Sequence, residues 1–115
     1  LINTVLGMRI DLKACRPLLA NGTGGMSGPG IFPLALRMVW QVYEAVSIPI
    51  VGMGGVCTAA DAVEMMLAGA AAVQVGAANL VNPFACIDIV DSLPDVMAHY
   101  HIDDIKDIIG GAHHG

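Results

Sequence analysis

Apolar residues in this chain come in short blocks, and the spacing within each block separates strands from helices. Residues 1–6 are apolar apart from Asn3 and Thr4, which predicts the end of a buried strand. Residues 8–11 and 17–21 alternate briefly around Lys13-Ala14-Cys15-Arg16, the pattern of a hairpin insertion. Residues 22–30 are so dense in glycine that a loop without regular structure is expected there. From 34 to 46 the polar residues are Arg37, Gln41 and Glu44, spaced four and three apart. That is one narrow polar stripe on a helix, with Pro33 at its first position. The rest of its circumference is apolar, so the helix is expected to pack on most sides.

Residues 48–51 predict a short strand running into Gly52-Met53-Gly54-Gly55. Thr58, with Asp61 three residues on, approximates a capping box, and the helix it opens should stop at Gly69. Residues 71–75 form a second apolar strand, ending in Gly76-Ala77-Ala78-Asn79. Neither strand alternates, as expected of buried parallel strands, so 48–76 reads as a βαβ unit with a right-handed crossover. Residues 83–90, 93–100 and 105–109 predict three short closing helices, and 110–115 a loose end. No linker or low-complexity segment divides the chain, so residues 1–115 are expected to be one portion of a single domain.

Composition narrows the class. The chain is 56% hydrophobic and only 13% charged, which suits segments buried between the layers of a larger core. A net charge of −5 with no cluster of Lys and Arg argues against a nucleic-acid partner. Every apolar run is interrupted before the roughly 18 residues of a membrane span. Three cysteines without CxxC spacing suggest reduced thiols in a cytoplasmic protein.

Two consecutive strands each end in a glycine turn that leads toward a helix. Helix starts carry unpaired N–H groups and partial positive charge, and Gly54, Gly55 and Gly76 lack the Cβ that would hold an anion away. In (β/α)₈ barrels a phosphate site frequently follows strands seven and eight, whereas the bland reading of these glycines is tight turns alone. Asn3 and Thr4, where an apolar strand runs out, could hydrogen-bond a polar heterocycle or simply cap the strand end. Cys57 and Cys86 are expected to be inert core thiols. The histidines His99, His101, His113 and His114 are not spaced for a metal site. Asp103, Asp104 and Asp107 read as an exposed acidic helix start.

Four stretches carry a resemblance: Ile2-Asn3-Thr4, Asn21-Gly22-Thr23-Gly24-Gly25-Met26-Ser27-Gly28-Pro29, Ile50-Val51-Gly52-Met53-Gly54-Gly55-Val56 and Val75-Gly76-Ala77-Ala78-Asn79. In this order and spacing they resemble the class 1 dihydroorotate dehydrogenases, and class 1B, the NAD-linked catalytic subunit, most closely. The resemblance implies an α/β chain forming the C-terminal part, about strands 6 to 8, of an FMN-binding (β/α)₈ barrel. Such a barrel takes roughly 250 residues, and the chain begins at Leu1 without an initiator Met, so a fragment is expected.

The implied activity is oxidation of dihydroorotate to orotate in pyrimidine biosynthesis, with FMN as cofactor. By position, Asn3 and Thr4 match the pair that contacts the pyrimidine, and Ile2, Gly28, Gly54, Gly55, Gly76 and Ala77 match flavin contacts. Members often carry Thr where this chain has Ala77, and Lys where it has Phe32. A backbone N–H contact to phosphate survives the first change and a hydroxyl contact does not. None of Cys15, Cys57 and Cys86 occupies the family's catalytic-base position, so no catalytic residue is assigned and the base is expected upstream. The implied partners are dihydroorotate or orotate, a second copy in a homodimer, and an electron-transfer subunit with FAD and an iron–sulfur cluster. Another FMN barrel, such as a dihydropyrimidine dehydrogenase-like domain, and a non-catalytic phosphate-binding piece are the other readings.

Overall fold

The computed structural model describes Ile2 and residues 4–114. Its strands are β1 (Val5–Gly7), β2 (Ile10–Asp11), β3 (Arg16–Pro17), β4 (Gly24–Met26), β5 (Val51–Met53) and β6 (Ala72–Gln74). Its helices are α1 (Phe32–Ala45), α2 (Ala59–Ala68), α3 (Ala78–Val81) and α4 (Ala85–His99). Single 3-10 turns cover Pro29–Ile31, Ile105–Ile108 and Gly111–His114.

The N-terminal third is two nested antiparallel ladders. β1 pairs with β4, placing Val5 opposite Met26 and Gly7 opposite Gly24, and the β2–β3 hairpin is inserted between them. Asp11 closes the hairpin by accepting the N–H groups of Lys13 and Ala14 at 2.9 and 3.0 Å, an Asx turn. Two expectations are corrected here. The strand expected at 1–6 is instead β1 at Val5–Gly7, half-buried with Leu6 exposed, and the glycine-rich segment contains β4. Glycine suits β4 because its neighbours crowd in: a Cβ on Gly24 would lie 2.6 Å from Leu19 Cδ1, and one on Gly25 would fall on the Thr4 hydroxyl.

The βαβ unit forms, but its first strand is Val51–Met53 rather than 48–51, so Gly52 and Met53 belong to the strand and not to the turn. Of the two strands only Gly52 is buried. β5 and β6 are parallel, pairing Gly52 with Val73, and the Ala71 N–H donates to the Ile50 carbonyl at 2.8 Å just before them. The crossover helix α2 has a complete capping box: Thr58 accepts the Asp61 N–H, and Asp61 accepts the Thr58 N–H. It ends at Gly69, whose φ of 130° other residues rarely adopt. Gly52 lets α2 come close, since a Cβ there would lie 3.1 Å from Met65 Sδ. The core gathers on this helix, where Ala59, Ala62, Met65 and Ala68 meet Ala35 and Val39 of α1 and Ile89 of α4.

Three further expectations change. Phe32 is the first residue of α1 and Pro33 the second, and the helix buries only Ala35 and Val39, leaving Leu34 and Met38 exposed. The helices expected at 83–90 and 93–100 are one continuous α4, with Pro94 inside it on the exposed side. Val90, whose carbonyl a helical N–H at position 94 would have met, is itself exposed, so water can reach that turn and lower the cost of the missing N–H. The expected loose end is docked. His113 stacks on Trp40 with ring centroids 3.6 Å apart, sits 3.6 Å from a Glu44 carboxylate oxygen, and donates from Nε2 to the Ala68 carbonyl at 2.8 Å.

Candidate functional site

The carboxyl ends of β5 and β6 point the same way, because the strands are parallel and in register, so their two glycine turns lie side by side. Between them is a cavity of about 170 Å³. β5 delivers Gly54 and Gly55 to its wall, and β6 delivers Gly76 and Ala77. Gly28 enters ahead of the 3-10 turn that leads into α1, and Ile2 and Thr4 come from the segment before β1. Seven of the eight sequence-expected site residues therefore line one cavity. The eighth, Asn3, lies outside the described residues.

The glycines are not equivalent. Gly54 and Gly55 have φ of 120° and 72°. A Cβ on Gly54 would lie 2.7 Å from Ala35 Cβ, and one on Gly55 2.6 Å from the Gly28 carbonyl oxygen. Packing and backbone conformation thus require glycine at both, ligand or no ligand. Gly28 has a φ of 93° and open space around the missing Cβ. Gly76 has neither a left-handed backbone nor any neighbour within 4 Å. Among the described residues nothing asks for glycine at Gly76, and the space a side chain would take stands open at the wall of the cavity.

The electrostatics also depart from expectation. The start of α2 is not free to hold an anion, because Asp61 Oδ2 already accepts the N–H groups of Cys57 at 2.9 Å and Thr58 at 3.1 Å. α3 is a four-residue helix with little dipole to offer. The donors that remain are in the turns themselves. Among the described residues, no acceptor takes a hydrogen bond from the backbone N–H of Gly54, Gly55, Gly76 or Ala77. No Lys or Arg lines the cavity, so an anion there would be held by amide dipoles without a countercharge from these residues.

Sequence reasoning missed Ser27, Ile31 and Met53, which also line the cavity. Adjacency was the available signal for two of them, since Ser27 precedes Gly28 and Met53 precedes Gly54. Cys57 is half-buried with its thiol 3.5 Å from the Gly55 carbonyl. Cys86, expected in the core, is exposed and points its thiol toward Asn79 Oδ1 at 3.5 Å. Among the described residues no three His, Cys, Asp or Glu side chains are grouped to hold a metal ion. Nor is any helix there long and apolar enough to cross a membrane.

A larger cavity, about 610 Å³, lies elsewhere, between α2 and residues 100–108. Of its polar residues, Asp104 serves local structure. Asp104 caps the turn Ile105–Ile108 by accepting the Lys106 N–H at 3.0 Å, and its other oxygen lies 3.8 Å from Lys106 Nζ. Volume favours this cavity, but convergent free donors favour the smaller one between the glycine turns.

A family model described as dihydroorotate dehydrogenase matches residues 1–97. The chain is 58% identical over 112 residues to the dihydroorotate dehydrogenase B (NAD(+)) catalytic subunit of Halalkalibacterium halodurans, covering 97% of this chain and 37% of that protein. It is 57% identical over 110 residues to the protein of the same name from Bacillus pumilus, covering 96% of this chain and 36% of that protein. A crystal structure of DHODH from Eimeria tenella in complex with ferulenol superposes with a TM-score of 0.78 at 26% identity, over 97% of this chain and 30% of that chain. The chain thus spans little more than a third of the relatives it matches, and its fold is a portion of their α/β barrel.

Proposed function

The chain belongs to the dihydroorotate dehydrogenase family, and from that premise we propose that it carries the flavin-phosphate site and part of the substrate site of an enzyme oxidising dihydroorotate to orotate. The observation that carries this reading is the convergence of Gly54, Gly55, Gly76 and Ala77 on one cavity with their amide N–H groups unused. The cofactor is FMN. Its phosphate fits a cradle of turn amides in which Gly76 offers the room of an absent side chain. The turn amides of both strands would donate to the phosphate oxygens, and Gly28 and Ile2, on the same wall, would flank the remainder of the flavin.

When bound, FMN supplies the two-electron acceptor for the hydride leaving C6 of dihydroorotate. This chain's part is orientation. Thr4, on the cavity wall with its side chain packed over Gly25, would offer its hydroxyl to the pyrimidine together with the Asn3 amide. Ile2, which is buried, closes the same wall against water. No base for C5 is assigned among Cys15, Cys57 and Cys86, because two are exposed and the third lies against the Gly55 carbonyl. We place the whole enzyme in the cytoplasm, as a homodimer that passes electrons through an FAD and iron–sulfur subunit to NAD⁺. The relatives' description as catalytic subunits supports a partner.

The test uses a full-length subunit carrying residues 1–115, purified without added flavin. A yellow protein whose visible absorbance bleaches when dihydroorotate is added without oxygen is the expected result. A protein that takes up no FMN removes the flavin reading. One that binds FMN but is indifferent to dihydroorotate keeps the cofactor and removes the substrate.

A further inference from the structure

A second cavity, of about 330 Å³, adjoins the first, and Gly28 and Ala77 belong to the walls of both. The divide is thus one residue without a side chain and one with a single methyl group. Ligand pockets start at about 300 Å³, so a phosphate seated on the turn amides has room beside it for a further group joined to it through a phosphoanhydride bond. A dinucleotide flavin carries such a group, a second phosphate bearing adenosine. Among the described residues volume does not separate mononucleotide from dinucleotide at this site, whereas charge does.

Asp88, in the first turn of α4, lines this second cavity. Its Oδ2 accepts from Asn82 Nδ2 at 2.7 Å, and Asn82 accepts the Phe84 N–H at 3.0 Å, so the carboxylate is held against the cavity wall. The start of α4 would otherwise offer partial positive charge to a second phosphate. Asp88 cancels that charge, and Asp61 does the same at the start of α2 beside Cys57, which shares the cavity. Among the described residues no Lys or Arg lines either cavity. One phosphate finds free amides, and a second finds a carboxylate. We propose that Asp88 is the specificity residue that restricts this site to a flavin mononucleotide, by repelling the second phosphate of a dinucleotide from a cavity roomy enough to admit it. The proposal rests on the flavin-phosphate reading above.

The experiment compares FMN and FAD affinities by titration calorimetry in a flavin-stripped full-length subunit carrying residues 1–115, as parent, Asp88→Asn and Asp88→Glu. In Asp88→Asn, FMN affinity should stay within about twofold while FAD binds about five- to tenfold more tightly at low salt. That gain should shrink in 1 M salt, where charges are screened beyond about 3 Å. Asp88→Glu should behave as the parent. An unchanged ratio of FAD to FMN affinity in an Asp88→Asn protein that still binds FMN overturns the role of Asp88 and leaves the phosphate reading standing. Loss of both flavins in Asp88→Asn also overturns it, by assigning Asp88 to structure. A parent that binds neither flavin overturns the phosphate reading and this inference with it.

Discussion

Gly55 and Gly76 line the same cavity, yet the fold asks for glycine at only one of them. At Gly55 a side chain would require the left-handed backbone region and would meet the Gly28 carbonyl oxygen at 2.6 Å. In the full-length subunit Gly55→Ala should lose about 2 kcal/mol or more of stability in denaturant unfolding. Gly76→Ala meets no such obstacle, so stability should change by no more than about 0.5 kcal/mol. Its added methyl enters the space proposed for the phosphate, and the FMN Kd should rise about tenfold or more, on the order of 1.4 kcal/mol. Equal loss of FMN and of stability in Gly76→Ala would count against a phosphate there. Sequence alone could not sort these two residues, because a glycine's reason lies in what its absent Cβ would touch. His113 makes the same point: its partners Trp40, Tyr43 and Ala68 are distant in sequence, so the reading of residues 110–115 as loose had no local signal against it.

Among the elements, α2 was the most legible, because its boundary signals are local. Thr58, Asp61 and Gly69 each act within a few residues of their own position, and the structure has both capping bonds and the positive φ. Thr58→Ala removes the acceptor for the Asp61 N–H and leaves the bonds to Asp61 Oδ2 in place. The expected loss is about 1 kcal/mol, read as a shift of the urea midpoint at unchanged slope. A loss below about 0.3 kcal/mol would mean that the tertiary packing of α2, not its cap, sets where it starts. The βαβ unit was legible for a similar reason, since two unalternating apolar runs with a helix between them admit few arrangements. β4 and α4 were not. Glycine hides a strand until a partner strand supplies the hydrogen bonds, and Pro94 reads as a helix break until its position on the exposed side is known.

The whole chain is too open to be a finished domain. Its radius of gyration is 16.4 Å, where a compact domain of this length has about 13 Å. Leu80 and Val81 are 90% and 89% exposed, and the neighbouring Phe84, Ile87 and Val90 are exposed with them. The two parallel strands stand alone as a pair, with edges that a closed barrel would not have. Residues 1–115 by themselves should therefore give a broad, uncooperative thermal transition and bind a hydrophobic dye, and a sharp two-state melt would refute this. By itself the sequence determined the α/β class, the βαβ unit, the capped helix and the positions of the glycine turns, because periodicity, caps and glycine act over a few residues. Only the tertiary structure decided that the two turns share one cavity, that Asp61 and Asp88 occupy the helix starts beside it, and that His113 holds the C-terminal turn against α1 and α2. Those facts depend on contacts between residues far apart in the chain, which packing sets and local pattern does not encode.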